Sequence, residues 1–105
     1  MHRKGYLVKM YESGLERYVC EKIQQVGGKA FKWVCPGIMG APDRICIFPG
    51  GRIIFMELKR PGRKNGMSAR QKKFCVVLEK LGCSVYCINS KEEICELLGV
   101  LGYEV

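Results

Sequence analysis

Between Asp43 and Lys59 the chain alternates so regularly that it admits one pairing of two strands. The stretch DRICIFPGGRIIFMELK reads as strands Asp43–Phe48 and Arg52–Lys59, joined by Pro49-Gly50-Gly51. Successive side chains of a strand point to opposite faces, so Asp43, Ile45 and Ile47 share one face. Ile53, Phe55, Glu57 and Lys59 share one face of the partner. A three-residue loop sets Phe48 opposite Arg52. Counting outward, Ile47 faces Ile53, Ile45 faces Phe55 and Asp43 faces Glu57. A slip of one residue would set Asp43 against Leu58 and break every apolar pair. Asp43 is the only aspartate in the chain, and this register makes it a direct cross-strand neighbour of Glu57, with Cβ atoms roughly 4.5–5.5 Å apart.

Two carboxylates at that distance repel. Three things relieve the repulsion: the nearby Lys59, protonation of one acid, or a bound divalent cation. Carboxylate oxygens favour a hard ion, Mg²⁺ or Mn²⁺, over zinc. A purely structural Asp/Glu/Lys cluster at a strand end stands beside the metal reading.

The rest of the pattern extends this hairpin into an α/β chain. Leu15, Val19, Ile23 and Val26 recur at helical spacing from about Ser13 to Val26, and Gly27-Gly28 closes that helix. KAFKWVC (29–35) reads as a strand, followed by the loop PGIMGAP. A basic loop, KRPGRKNG, leads to a helix from about Ser68 to Leu81 with Phe74, Val77, Leu78 and Leu81 on one face. Ser84–Ile88 is a strand, and Lys91–Leu101 a last helix carrying Ile94, Leu97, Leu98 and Leu101. The order is α-β-β-β-α-β-α. Ser13-x-x-Glu16, Ser68-x-x-Gln71 and Ser90-x-x-Glu93 each fit a capping box, in which Ser holds the N3 amide and the N3 side chain reaches back.

With 105 residues the chain is expected to form one domain spanning 1–105, residues 1–11 being a frayed terminus. Its seven cysteines include no C-x-x-C pair, and the one histidine is His2, so no zinc set is available. Most lie in apolar runs, as reduced core cysteines of a cytoplasmic protein do. No run approaches membrane-span length. Eighteen Lys and Arg against ten Asp and Glu leave a net charge of +8, which favours a polyanionic partner.

Pro42-Asp43, thirteen intervening residues, then Glu57-Leu58-Lys59 match the PD-(D/E)XK nuclease signature. The wider stretch from Glu16 to Leu98 resembles the virus-type replication-repair nuclease (VRR-NUC) family of that superfamily. The resemblance rests on ESGLERYV, on VGGKAFKWVCPGIMGAPDRICIFPGGRIIFMELKRPG and on Gln71 in the following helix. It implies a restriction-endonuclease-like core, a central mixed sheet flanked by helices. It also implies a catalytic set of Glu16, Asp43, Glu57, Lys59 and Gln71. Asp43, Glu57, the Leu58 carbonyl and Glu16 would ligate Mg²⁺ or Mn²⁺, Lys59 would orient the attacking water, and Gln71 would stand beside the scissile phosphate. Where the family often has basic residues before Pro-Asp, this chain has Ile38 and Met39. The resemblance further implies a homodimer that cuts branched DNA such as four-way (Holliday) junctions. A phage or mobile-element origin fits the minimal size.

Each site residue has a plainer reading. Glu16 and Gln71 are N3 residues of capping boxes. Lys59, Arg60, Arg63, Lys64, Arg70, Lys72 and Lys73 are either a solvated surface or a track for the phosphate backbone, which they would grip without reading bases. Lys32 is a further candidate for that grip. Trp33 is expected in the core, and Arg44, pointing opposite to Asp43, at a surface or interface. Rival functions are a nuclease of flaps, nicks or simple duplex and a non-catalytic basic DNA-binding module.

Overall fold

The computed structural model describes residues 14–59 and 67–103. Helix α1 (Gly14–Gln25) is followed by strands β1 (Lys29–Lys32), β2 (Arg44–Phe48) and β3 (Arg52–Leu58). Helix α2 (Ala69–Lys80), strand β4 (Ser84–Ile88) and helix α3 (Lys91–Val100) complete the described chain. The strands form one sheet in the order β1-β2-β3-β4, antiparallel except for the parallel β3–β4 pair. The α-β-β-β-α-β-α order and the mixed sheet agree with the sequence reading.

The central hairpin has the expected register. Phe48 pairs with Arg52, Ile47 with Ile53 and Ile45 with Phe55. Gly50 and Gly51 adopt φ of 87° and 82°, the left-handed region that glycine enters without a Cβ clash. This is why the turn is written PGG.

Alternation divides the hairpin between two helical layers. Ala30, Cys46, Phe48, Ile54, Met56 and Ile88 face one way and meet Leu15, Val19 and Ile23 of α1 and Ile94, Leu97 and Leu98 of α3. Burial pushes the Cys46 thiol up to about 12, so it stays a protonated, unreactive core group. All seven cysteines are free. The other face carries Ile45, Phe55 and Glu57 and is covered by α2. There Trp33 packs against Phe55 and Phe74, with ring centroids 5.1 and 5.7 Å apart, as expected of a core tryptophan. That cover is thin. Cys75 and Leu78 are buried, but Val77 and Leu81 are 53% and 74% exposed, contrary to the single inward stripe read from the sequence. One helix leaves only a narrow seam against the sheet, and residues flanking the seam meet water.

Three further expectations need correction. The first strand ends at Lys32 and not at Cys35, although the amide of Trp33 still donates to the Asp43 carbonyl (2.9 Å). Ser90 caps α3 through the Glu93 amide, but the Glu93 carboxylate accepts from the Asn89 amide, one residue before the cap. Arg44 is not at the surface. It shares the inward parity of Cys46 and is 6% exposed, with its guanidinium 3.4 Å from the Glu16 carboxylate and donating to the Ala30 carbonyl (3.2 Å). The Ser13 half of the first capping box and the frayed-terminus expectation lie outside the described residues.

A buried charge whose partner is removed costs roughly 3–5 kcal/mol. Replacing Arg44 with Met should therefore lower unfolding stability by about 3 kcal/mol in denaturant titration. Adding Glu16→Gln should recover part of that loss, because no net charge then remains in the core.

Candidate active site

Strand parity and one helix cap bring four side chains together at the open end of the hairpin. Asp43 immediately precedes β2. Its carboxylate, not a main-chain carbonyl, accepts the Leu58 amide (2.9 Å), so the side chain finishes the ladder. Glu57 points to the same face and is buried, 3% exposed. The Lys59 ammonium lies 3.1 Å from Glu57 Oε2 and donates to Gln71 Oε1 (2.9 Å). The Gln71 amide in turn donates to Glu57 Oε2. Glu57, Lys59 and Gln71 thus form a closed triangle beside Asp43.

Gln71 has two tasks at once. Ser68 accepts its main-chain amide (3.2 Å), while Gln71 Oε1 accepts the Ser68 amide (2.9 Å), a complete capping box at the start of α2. The same oxygen receives Lys59. The capping and site readings, alternatives in the sequence, are both satisfied by one amide.

The electrostatics of the group are strained in one direction. Burial pushes the Glu57 carboxyl above its ordinary value, and the Asp43 charge pushes it further. Hydrogen bonds from Lys59 and Gln71 pull it back only in part. Glu57 Oε1 is buried and has no hydrogen-bond partner. A buried carboxylate oxygen with no donor is costly. With the Asp43 charge acting on the same group, the pair offers hard oxygen donors of the kind a divalent cation takes. The residues present therefore fit such an ion.

Other candidates lie elsewhere. Glu16 sits on α1, across the sheet, with its carboxylate against Arg44. Among the described residues no three His, Cys, Asp or Glu side chains gather as a metal-binding group. Lys32 pairs with Arg44 in the β1–β2 register and so falls on the α1 face, away from Asp43. Arg70, Lys72 and Lys73 are exposed on α2, either side of Gln71. Arg60, Arg63 and Lys64 lie outside the described residues. Arg44 was the residue that sequence reasoning misplaced. Its signal was parity: an arginine in phase with Cys46 and Phe48 and a glutamate on the stripe of Leu15, Val19 and Ile23 are opposite charges aimed into one core.

Comparison with known proteins agrees with this architecture. A solved structure described as a VRR_NUC domain superposes with a TM-score of 0.75 at 27% sequence identity, covering 81% of this chain and 90% of that one. "Putative nuclease p44" of Acyrthosiphon pisum secondary endosymbiont phage 1 is 43% identical over 53 residues, half of this chain. The match spans 57% of that relative's own length. No family model matches the chain. The fold is that of a restriction-endonuclease-like nuclease domain. Within that class the chain is similar to the VRR_NUC domain on which it superposes. Among the described residues no helix is long and apolar enough to cross a membrane.

The raised pKa has a signed consequence. Folding favours protonated Glu57, so its contribution is full below the unfolded value of 4.5 and is lost as pH rises through the higher folded value. A Glu57→Gln variant escapes this loss. In EDTA its melting temperature should gain on wild type as pH rises above 4.5 and then level off, which thermal melts across about pH 4 to 8 would measure.

Proposed function

We propose that the chain is a single-domain, divalent-metal-dependent endodeoxyribonuclease acting inside the cell on branched DNA, with four-way junctions as the preferred substrate. The observation that carries this reading is the buried Glu57 carboxylate, with one oxygen lacking a partner, set between Asp43 and Lys59. Mg²⁺ or Mn²⁺ held by Asp43, Glu57 and the Leu58 carbonyl would lower the pKa of a bound water and offset charge on the phosphate. Glu16 joins that set only by leaving Arg44, directly or through water.

The protein's own groups do the positioning. Lys59 carries a fixed ammonium at the end of β3, held by Glu57 and Gln71, where it can donate to the attacking water or to a phosphate oxygen. Gln71 holds Lys59 and Glu57 in register with the first turn of α2. Arg70, Lys72 and Lys73 grip the phosphate backbone on either side, joined by Arg60, Arg63 and Lys64, whereas Lys32, on the α1 face, could reach only DNA that wraps past the sheet edge. A two-fold homodimer would present two such sites to a symmetric junction and make paired cuts.

Labelled four-way junction, flap, nicked and plain duplex DNA, each incubated with Mg²⁺, Mn²⁺ or EDTA, test the reading directly. Wild type should cut the junction symmetrically with either metal and not in EDTA, and Asp43→Asn should bind without cutting. If wild type shifts DNA but cuts none of it, the acids are structural and the protein is a basic binding module. Exclusive cutting of flaps or duplex would move the substrate and keep the chemistry. The grip has its own readout. Lys72→Ala should reduce the slope of log affinity against log salt by roughly 0.9, the value of one lost phosphate contact.

A further inference from the structure

Residues 35–41 carry an apolar tip that the proposed chemistry does not use. Ile38 is 55% exposed and Met39 70%. Exposed apolar side chains scattered singly need no explanation, but a contiguous set does. Here Ile38 and Met39 border a hollow of about 210 Å³ completed by Phe74 and Val77, with Arg70 and Lys73 at its rim. Among the described residues no acidic side chain lines it.

The tip is fixed in place. Gly40 has φ +94°, and a Cβ there would stand 2.6 Å from the Arg70 carbonyl oxygen and 3.0 Å from the Gln71 amide nitrogen. Only glycine lets the loop press this closely on the first turn of α2. That turn is the one whose Gln71 holds Lys59 and Glu57. The Arg70 guanidinium also donates to the Met39 sulfur (2.6 Å). Anything seated on the tip therefore lies one helical position from the candidate site.

The hollow is below the roughly 300–1,000 Å³ of pockets for drug-sized ligands, so it suits a single flat group. Apolar walls with a cationic rim match the two chemistries of a nucleotide, an apolar base face and an anionic phosphate. Ile and Met are also among the side chains that proteins insert between base steps. We propose that Ile38 and Met39 form a wedge that receives unstacked bases at the branch point of the DNA substrate, with Arg70 and Lys73 holding the adjoining phosphates. The inference rests on the branched-DNA reading above and names the element that selects the branch. A bare duplex, with its bases stacked, offers the wedge nothing, so the tip contributes selectivity and not general affinity.

A four-way junction with 2-aminopurine at the branch point, titrated in EDTA, tests the wedge without cleavage. Wild type should raise the 2-aminopurine fluorescence, which reports unstacking. The Ile38→Ser/Met39→Ser double variant should not raise it, and its ratio of junction to duplex affinity should fall about tenfold, the scale of a lost base contact. Ile38→Leu/Met39→Leu should restore both. Because both side chains are largely exposed, the serine variant should melt close to wild type. The wedge is overturned if the serine variant keeps the signal and the ratio, or if wild type does not bind the junction. It is equally overturned if sedimentation shows the serine variant turning a dimer into a monomer, since the tip is then a contact between copies. If wild type unstacks the branch yet cuts nothing with Mg²⁺ or Mn²⁺, the wedge stands and the nuclease reading alone fails.

Discussion

The structure depends on the register of one antiparallel hairpin. Pairing Ile47 with Ile53 and Ile45 with Phe55 sends Cys46, Phe48, Ile54 and Met56 to the opposite face in phase, and that face is the core. The same pairing leaves Asp43 and Glu57 at the open end, where the Asp43 carboxylate accepts the Leu58 amide. A slip of one residue would reverse both faces together. Hydrophobic burial therefore holds two acids side by side that electrostatics alone would separate. The raised Glu57 pKa records that conflict.

Gln71 couples the site to secondary structure. One amide closes the capping box on Ser68, accepts Lys59 and donates to Glu57. The start of α2 and the position of the lysine are consequently not independent variables. A change that frays the helix also releases the ammonium. Gly40 adds a second tie, bringing the 35–41 loop against the same turn. Loop, helix start and strand end are thus tied to one another through Gly40 and Gln71.

The two sides of the sheet are built for different ends. On one, α1 and α3 bury a continuous aliphatic layer with the Glu16–Arg44 pair inside it. On the other, a single helix covers the sheet partially, leaving Val77, Ile53 and the Ile38–Met39 tip in water. The thicker side holds the fold together. The thinner side holds Asp43, Glu57 and Lys59 and leaves the basic face of α2 exposed.

Much of this was legible in the residues because it rests on local periodicity. Strand alternation around Pro49-Gly50-Gly51, helical spacing at Leu15-Val19-Ile23 and Ser68 with Gln71 at cap spacing determine elements, register and the Asp43–Glu57 proximity. The resemblance to VRR-NUC nucleases followed from the same positions. Tertiary structure alone decided what each polar group finds at long range. Nothing local tells that Arg44 meets Glu16 across α1, or that Gln71 serves its cap and Lys59 together. Nor does local spacing show that Val77 lies outside the seam of α2. Periodicity says which face a side chain is on, but only the packing of elements distant in sequence says what stands opposite it.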